Sequence, residues 1–208
     1  MKISLMLVYF VILVTNNLFS QDKEKMYYNT RFDSIGEKEF YNLLKKENYS
    51  YNGFELADQL AYVLYQPKTK GKLSTEELSA LNKYLLEMGT IDNEITVIIY
   101  YPGKDYCNKK DRNSTWNIFD VDYSKEVKKI NSINHFWIYK NDEDLQYYYP
   151  KKVKWKNDEG QFIENLFFKM HYPCFSSAII DKDGNYILNL GEFGKHEIWK
   201  YVKELSRK

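Results

Sequence analysis

Seven consecutive residues constrain this chain more than any others: Ile95-Thr96-Val97-Ile98-Ile99-Tyr100-Tyr101, stopped by Pro102-Gly103. All seven are β-branched or aromatic and none is charged. A run of that kind, without the polar–apolar alternation of a half-exposed strand, predicts a strand buried on both faces at the centre of an α/β sheet.

The segments that follow suit such a sheet. Residues 122–133 predict a helix with Val127 and Ile130 inward, and His135–Tyr139 (HFWIY) a second apolar strand. Residues 158–169 predict another helix, with Phe162, Ile163, Leu166 and Phe167 on one side. Ser176–Asp181 and Asn185–Leu190 flank the tight-turn pair Asp183-Gly184 and read as a hairpin. A last helix is expected over residues 195–206, with Ile198, Trp199, Val202 and Leu205 inward. The order from Ile95 is thus β-α-β-α-β-β-α. Its two strand–helix units need crossovers, which enforce a mainly parallel pair. No internal repeat is visible.

Upstream the apolar spacing changes to a helical one. Glu37–Glu47 carries Phe40, Leu43 and Leu44 on a narrow stripe, and Phe54–Tyr65 carries Leu56, Leu60, Ala61, Val63 and Leu64 on a wider one that Pro67 stops. Ser74 followed by Glu77 is a capping box. It opens a third helix lined by Leu78, Leu81, Leu85 and Met88, with Gly89 as its stop. Residues 22–35 have no period and read as an irregular arm. The expectation is a helical N-terminal extension over residues 21–92 ahead of one α/β domain over residues 93–208.

The first 20 residues have the layout of a secretory signal peptide: Lys2, an apolar run from Ile3 to Val14, then a polar segment ending in the small residue Ser20. The run is shorter than the roughly 20 residues of a spanning helix. The competing reading is an uncleaved N-terminal anchor. Cleavage after Ser20 implies an exported protein, periplasmic or secreted, with no stable membrane insertion afterwards. The chain has 30 Lys and Arg against 29 Asp and Glu, and Lys2 is the only charge in the leader, so cleavage leaves the two in balance. That argues against a nucleic-acid partner, which needs a surplus of cations to neutralise phosphates.

The β-α-β-α-β-β-α order resembles the thioredoxin-like superfamily over roughly residues 95–206. The strongest local likeness is Tyr172-Pro173, then a strand, then Ile179-Ile180-Asp181-Lys182-Asp183-Gly184-Asn185-Tyr186-Ile187, which looks like the proline loop and C-terminal hairpin of exported members. The resemblance implies a cis Tyr172–Pro173 bond. It also places the family's active centre at Tyr101-Pro102-Gly103-Lys104-Asp105-Tyr106-Cys107-Asn108-Lys109-Lys110. Cys107 stands where the nucleophilic cysteine belongs, but Lys110 occupies the resolving position, so there is no CxxC pair. The Tyr-Tyr-Pro-Gly run is similar to peroxiredoxin-like members, without the threonine they place before their cysteine.

Cys107 and Cys174 are the only cysteines. An even count in an exported protein favours a disulfide, and the resemblance implies that their two loops are neighbours. Three readings stay open: a structural disulfide, two unrelated thiols, or a redox pair in which Cys107 attacks and Cys174 resolves. Lys104, Lys109 and Lys110 would favour a thiolate, with Asp105 and Asp111 offsetting their field. Lys110 and His171 are auxiliary candidates, although a loop histidine is more commonly just solvated.

Asp181-x-Asp183-Gly184-Asn185 partly mimics a calcium loop, but a hairpin turn explains the same residues with fewer assumptions. No zinc spacing, phosphate loop, Gly-x-Ser-x-Gly or His-Glu-x-x-His motif occurs, so neither metal nor cofactor is expected. Tyr147–Lys156 (YYYPKKVKWK) is a distinctive surface candidate. Tyr148, Lys152, Lys154 and Trp155 could form a lip for a peptide, glycan or acidic protein partner; the alternative is an edge strand guarded by lysines. The functional expectation is a binding or envelope-maintenance role. A thiol oxidoreductase using Cys107 and Cys174, or an immunity or interaction protein, are the alternatives. The sequence carries no signal for oligomeric state.

Overall fold

The structure, a computed structural model, describes residues 23–46, 48–107, 121–145 and 153–207. Among these it is a mixed α/β protein with two mixed sheets and five helices. The larger sheet has the order β5-β10-β9-β6-β7-β8. Its strands are β5 (Lys68–Lys72), β6 (Ile95–Tyr101), β7 (Ile133–Tyr139), β8 (Trp155–Asn157), β9 (Ser176–Asp181) and β10 (Asn185–Asn189). β6, β7 and β8 run parallel, whereas β9, β10 and β5 alternate antiparallel.

β6 is the centre the sequence points to: all seven of its residues are buried. Ile95, Val97, Ile99 and Tyr101 face one core with α3 (Val121–Ile130) and α5 (Lys195–Leu205), through Val127, Ile198, Val202 and Leu205. Ile98 and Tyr100 face a second core with α2 (Thr75–Leu86) and α4 (Phe162–Phe167), through Leu81, Leu85, Ile163 and Phe167. Burying such apolar side chains from both faces is the main stabilisation of the sheet, on the order of 2 kcal/mol each.

Local signals held where one physical cause dominates. Ser74 Oγ accepts the Glu77 amide at 3.1 Å and the Glu77 carboxylate accepts the Ser74 amide at 2.8 Å, which is the capping box at the start of α2. The β9–β10 turn is closed by Asp181, whose Oδ1 accepts the amides of Asp183 and Asn185 at 3.0 and 2.8 Å. Gly184 supplies the left-handed residue that this turn requires, at φ +83°. The Asp181 carboxylate is therefore spent on the hairpin.

The N-terminal region departs from the helical expectation. Residues 54–65 are not a helix but parts of two strands, β3 (Ser50–Glu55) and β4 (Gln59–Tyr65), paired antiparallel. The Leu56 amide donates to the Gln59 carbonyl at 2.9 Å and closes their turn. Ala61, Val63 and Tyr65 alternate onto one buried face, while Leu56 is exposed at the turn. Residues 22–35, expected to be irregular, contain β1 (Glu24–Tyr28) and β2 (Ser34–Ile35). The resulting sheet, β2-β1-β4-β3, carries α1 (Glu37–Leu44), whose Phe40 packs with Tyr27 and Leu64. β5 was also unforeseen. Its lysines pair with α5, Lys68 with Glu197 and Lys70 with Glu204, while Gly71 lies under the Tyr186 ring, where a Cβ would collide. Among the described residues no helix is long and apolar enough to cross a membrane.

Candidate functional site

Two loops meet at the C-terminal end of β6. One leaves the strand as Pro102–Cys107; the other, His171–Phe175, enters β9. Because β6 and β9 are adjacent and antiparallel, with Tyr100 opposite Ser176, the end of one strand and the start of the other lie side by side. Cys107 and Cys174 are joined there in a disulfide, with Cα atoms 5.1 Å apart. The two sulfurs are not equivalent. Cys174 is 2% exposed and belongs to the core under α5, whereas Cys107 is half-buried at its edge.

Asp105 organises both loops. Its Oδ1 accepts the Cys107 amide at 2.8 Å, a local turn of the kind aspartate makes with the residue two positions on. Its Oδ2 accepts the Cys174 amide at 2.8 Å and lies 3.0 Å from His171 Nε2. The Asp105 side chain is only 10% exposed. One carboxylate thus binds the backbone on both sides of the disulfide and orients the imidazole beside it. His171 is held from its other end as well: its carbonyl accepts from Asn52 Nδ2 on β3 at 2.7 Å. Tyr172 is buried edge-on against Tyr65 of β4, ring centres 5.1 Å apart. The smaller sheet therefore grips the same loop that carries Cys174.

The proline loop differs from the expectation in one respect. No cis peptide occurs among the described residues, so Tyr172–Pro173 is trans. The chain instead reverses at Cys174, whose φ is +67°. That region disfavours a side chain by about 1–3 kcal/mol and persists only where surroundings enforce it; the Asp105 bond and the disulfide are those surroundings.

Of the residues singled out in the sequence, Cys107, Cys174, His171, Tyr172 and Pro173 come together here. Lys104 does not serve the sulfur: it pairs with Glu143 at 2.8 Å and with Asp144 at 3.3 Å. Lys110, Tyr148 and Lys152 lie outside the described residues. Lys154 and Trp155 belong to the β8 edge, where Trp155 packs on Trp137 at 5.3 Å and Lys154 is exposed. Asp105, Asn52 and Tyr65 were missed. Asp105 was visible only as a loop charge, and nothing in the sequence marks Asn52 or Tyr65 as partners of a loop more than a hundred residues away.

Compared with protein-family profiles and with curated proteins, the chain gives no match.

Proposed function

We propose that this chain is an exported thioredoxin-fold protein that works by binding, with Cys107–Cys174 as a permanent staple rather than an electron carrier. The fold assignment is supported by the strand order β7-β6-β9-β10, with β6 and β7 parallel and β9 and β10 antiparallel. Export is supported by the leader, and by the disulfide, which needs an oxidising compartment to persist.

The observation that carries the staple reading is the position of Asp105. A reactive thiolate is stabilised by nearby amides and cations. Here the amides of both cysteines already donate to a buried carboxylate, and Lys104 is committed to Glu143 and Asp144. A thiolate formed at Cys107 would lose those donors and face the Asp105 charge, and like charges disfavour one another's ionised forms. The oxidised pair meets neither penalty.

One observation favours the alternative, a thiol oxidoreductase: Cys107 is the more exposed residue of the pair, and Cys174 is the buried one that would resolve a mixed disulfide. Redox titration together with an insulin-reduction assay decides between them. The staple reading expects a reduction potential below about −300 mV, as in structural disulfides, and no turnover. A more oxidising potential with turnover that Cys107→Ser abolishes would establish the oxidoreductase instead.

A further inference from the structure

At the far edge of the larger sheet, where β8 covers only the last three residues of β7, lies an open groove of about 410 Å³. Phe136 and Trp137 form part of its wall, Thr90 and Asn93 contribute polar groups, and Lys154 and Lys156 stand along it. We propose that this groove binds a short, extended acidic peptide segment carrying carboxylates two residues apart.

The argument rests on spacing and charge. Along residues 153–156 the chain alternates: Val153 and Trp155 are half-buried, Lys154 and Lys156 exposed. An extended chain repeats its faces every two residues, roughly 6.6 Å, so both ammonium groups project from the same side. An extended peptide presents alternate side chains at that same repeat, which matches two carboxylates to two lysines. Neither lysine makes an ion pair with a described residue, as is common for the exposed lysines of this chain, so both ammonium groups are available to a ligand. Two like charges on one strand face repel unless an anion sits between them. The lining is mixed: Met88 and Trp137 give the intervening side chains of such a peptide some apolar surface, and Thr90 and Asn93 offer hydrogen bonds. Lysines that only guard an edge against aggregation need no such concavity beside them. A nucleic acid or polysulfated glycan fits poorly, because two lysines on a chain of formal net charge +1 neutralise too little of a polyanion.

This deepens the binding reading, from which it takes only that the chain is a binding protein; the state of the disulfide does not enter. The test uses the oxidised full chain and a fluorescein-labelled peptide, Thr-Glu-Val-Glu-Thr, followed by fluorescence anisotropy at low and high salt. The Glu peptide is expected to bind, more weakly as salt rises, and the matching Gln peptide much less. Lys154→Glu with Lys156→Glu should weaken binding by about tenfold or more through lost and reversed charge pairs. Lys125→Glu on α3 should leave it unchanged. If the reversed pair lowers the melting temperature, the Lys154→Gln, Lys156→Gln pair takes its place with the same expected direction. Equal binding of the Gln peptide, undiminished binding by the double variant, or no binding at all overturns the proposal, as does tighter binding of an oligonucleotide or heparin fragment. Insulin turnover with peptide binding intact would overturn the staple reading and leave this one standing.

Discussion

The Asp105 carboxylate accepts the amide of Cys174 at 2.8 Å across 69 residues of sequence, while its other oxygen holds the amide of Cys107. The two cysteines are therefore fixed in position by an acceptor that does not depend on their sulfurs. Asp105→Ala leaves two partly buried amides without that acceptor and His171 without its partner. The expected cost is about 2–3 kcal/mol in chemical denaturation. Asp105→Asn keeps one acceptor oxygen but turns its NH2 donor toward the other amide, so it should cost nearly as much, about 2 kcal/mol. A much smaller loss for Asp105→Asn would mean that a single acceptor is enough to hold the two loops.

The disulfide closes a long loop, its ends 67 positions apart. In the chain-entropy account, removing it with Cys107→Ser and Cys174→Ser together should lower stability by about 4 kcal/mol, chiefly by freeing the unfolded chain. Urea denaturation of the double variant beside the oxidised protein measures this. A loss much below that value would point to residual structure in the unfolded chain, or to Asp105 and Asn52 holding the loops unaided.

Tyr100 is a buried polar group, 1% exposed with its ring stacked on Phe168, whose hydroxyl lies near the Asp158 carboxylate without making a well-formed hydrogen bond to it. Burial, with Glu164 and Asp158 close by, pushes its phenol well above the ordinary tyrosine range. Tyr100→Phe removes a desolvated hydroxyl and keeps the ring, so it should be neutral or stabilising by up to about 1 kcal/mol. Tyr84→Phe is the contrast. Its hydroxyl donates to Asp158 at 2.9 Å, and its loss should destabilise by about 1 kcal/mol. Thermal melts should show Tyr84→Phe lowered and Tyr100→Phe unchanged or raised.

What the sequence disclosed, and what it hid, follows from how many physical causes act on each segment. β6 was legible because seven unbroken β-branched and aromatic residues suit one environment, and α2 because Ser74 and Glu77 specify its start by local hydrogen bonds alone. Residues 54–65 were misread because Leu60, Ala61, Val63 and Leu64 satisfy a helical stripe, while the buried set Ala61, Val63 and Tyr65 satisfies a strand. The choice was made by pairing with β3 across the short turn at residues 56–58 and with β1, which no local window contains. β5 (KTKGK) has no apolar residue at all; it is a strand because β10 offers a ladder and α5 offers two carboxylates. At the site, the cysteines were readable as a pair by number and type. The role of Asp105 was not, since it exists only once β6 and β9 lie side by side.

His135 provides the clearest pH dependence. It lies on β7 against Trp137, half-buried where β7 borders the open groove, with Nε2 3.3 Å from the Tyr123 hydroxyl, and desolvation lowers its pKa from 6.5, to about 3 at full burial. The folded state keeps this imidazole neutral, whereas the unfolded chain protonates it near pH 6.5. Between those values the unfolded state binds the extra proton. The His135 contribution is therefore fully present above about pH 6.5 and declines as pH falls toward 3, by up to about 1.4 kcal/mol per unit. Carboxylates add their own losses only toward the lower end, and His171 and His196 are common to wild type and variant, so the difference between the two proteins from pH 7 to pH 5 isolates His135. Urea denaturation across that window should show wild type losing more than His135→Gln, which has no proton to gain, by at most about 2 kcal/mol and by less in proportion to the groove's access to the imidazole. Parallel pH profiles for the two proteins would mean that the imidazole reaches solvent in the folded state and is not held neutral by its place on β7.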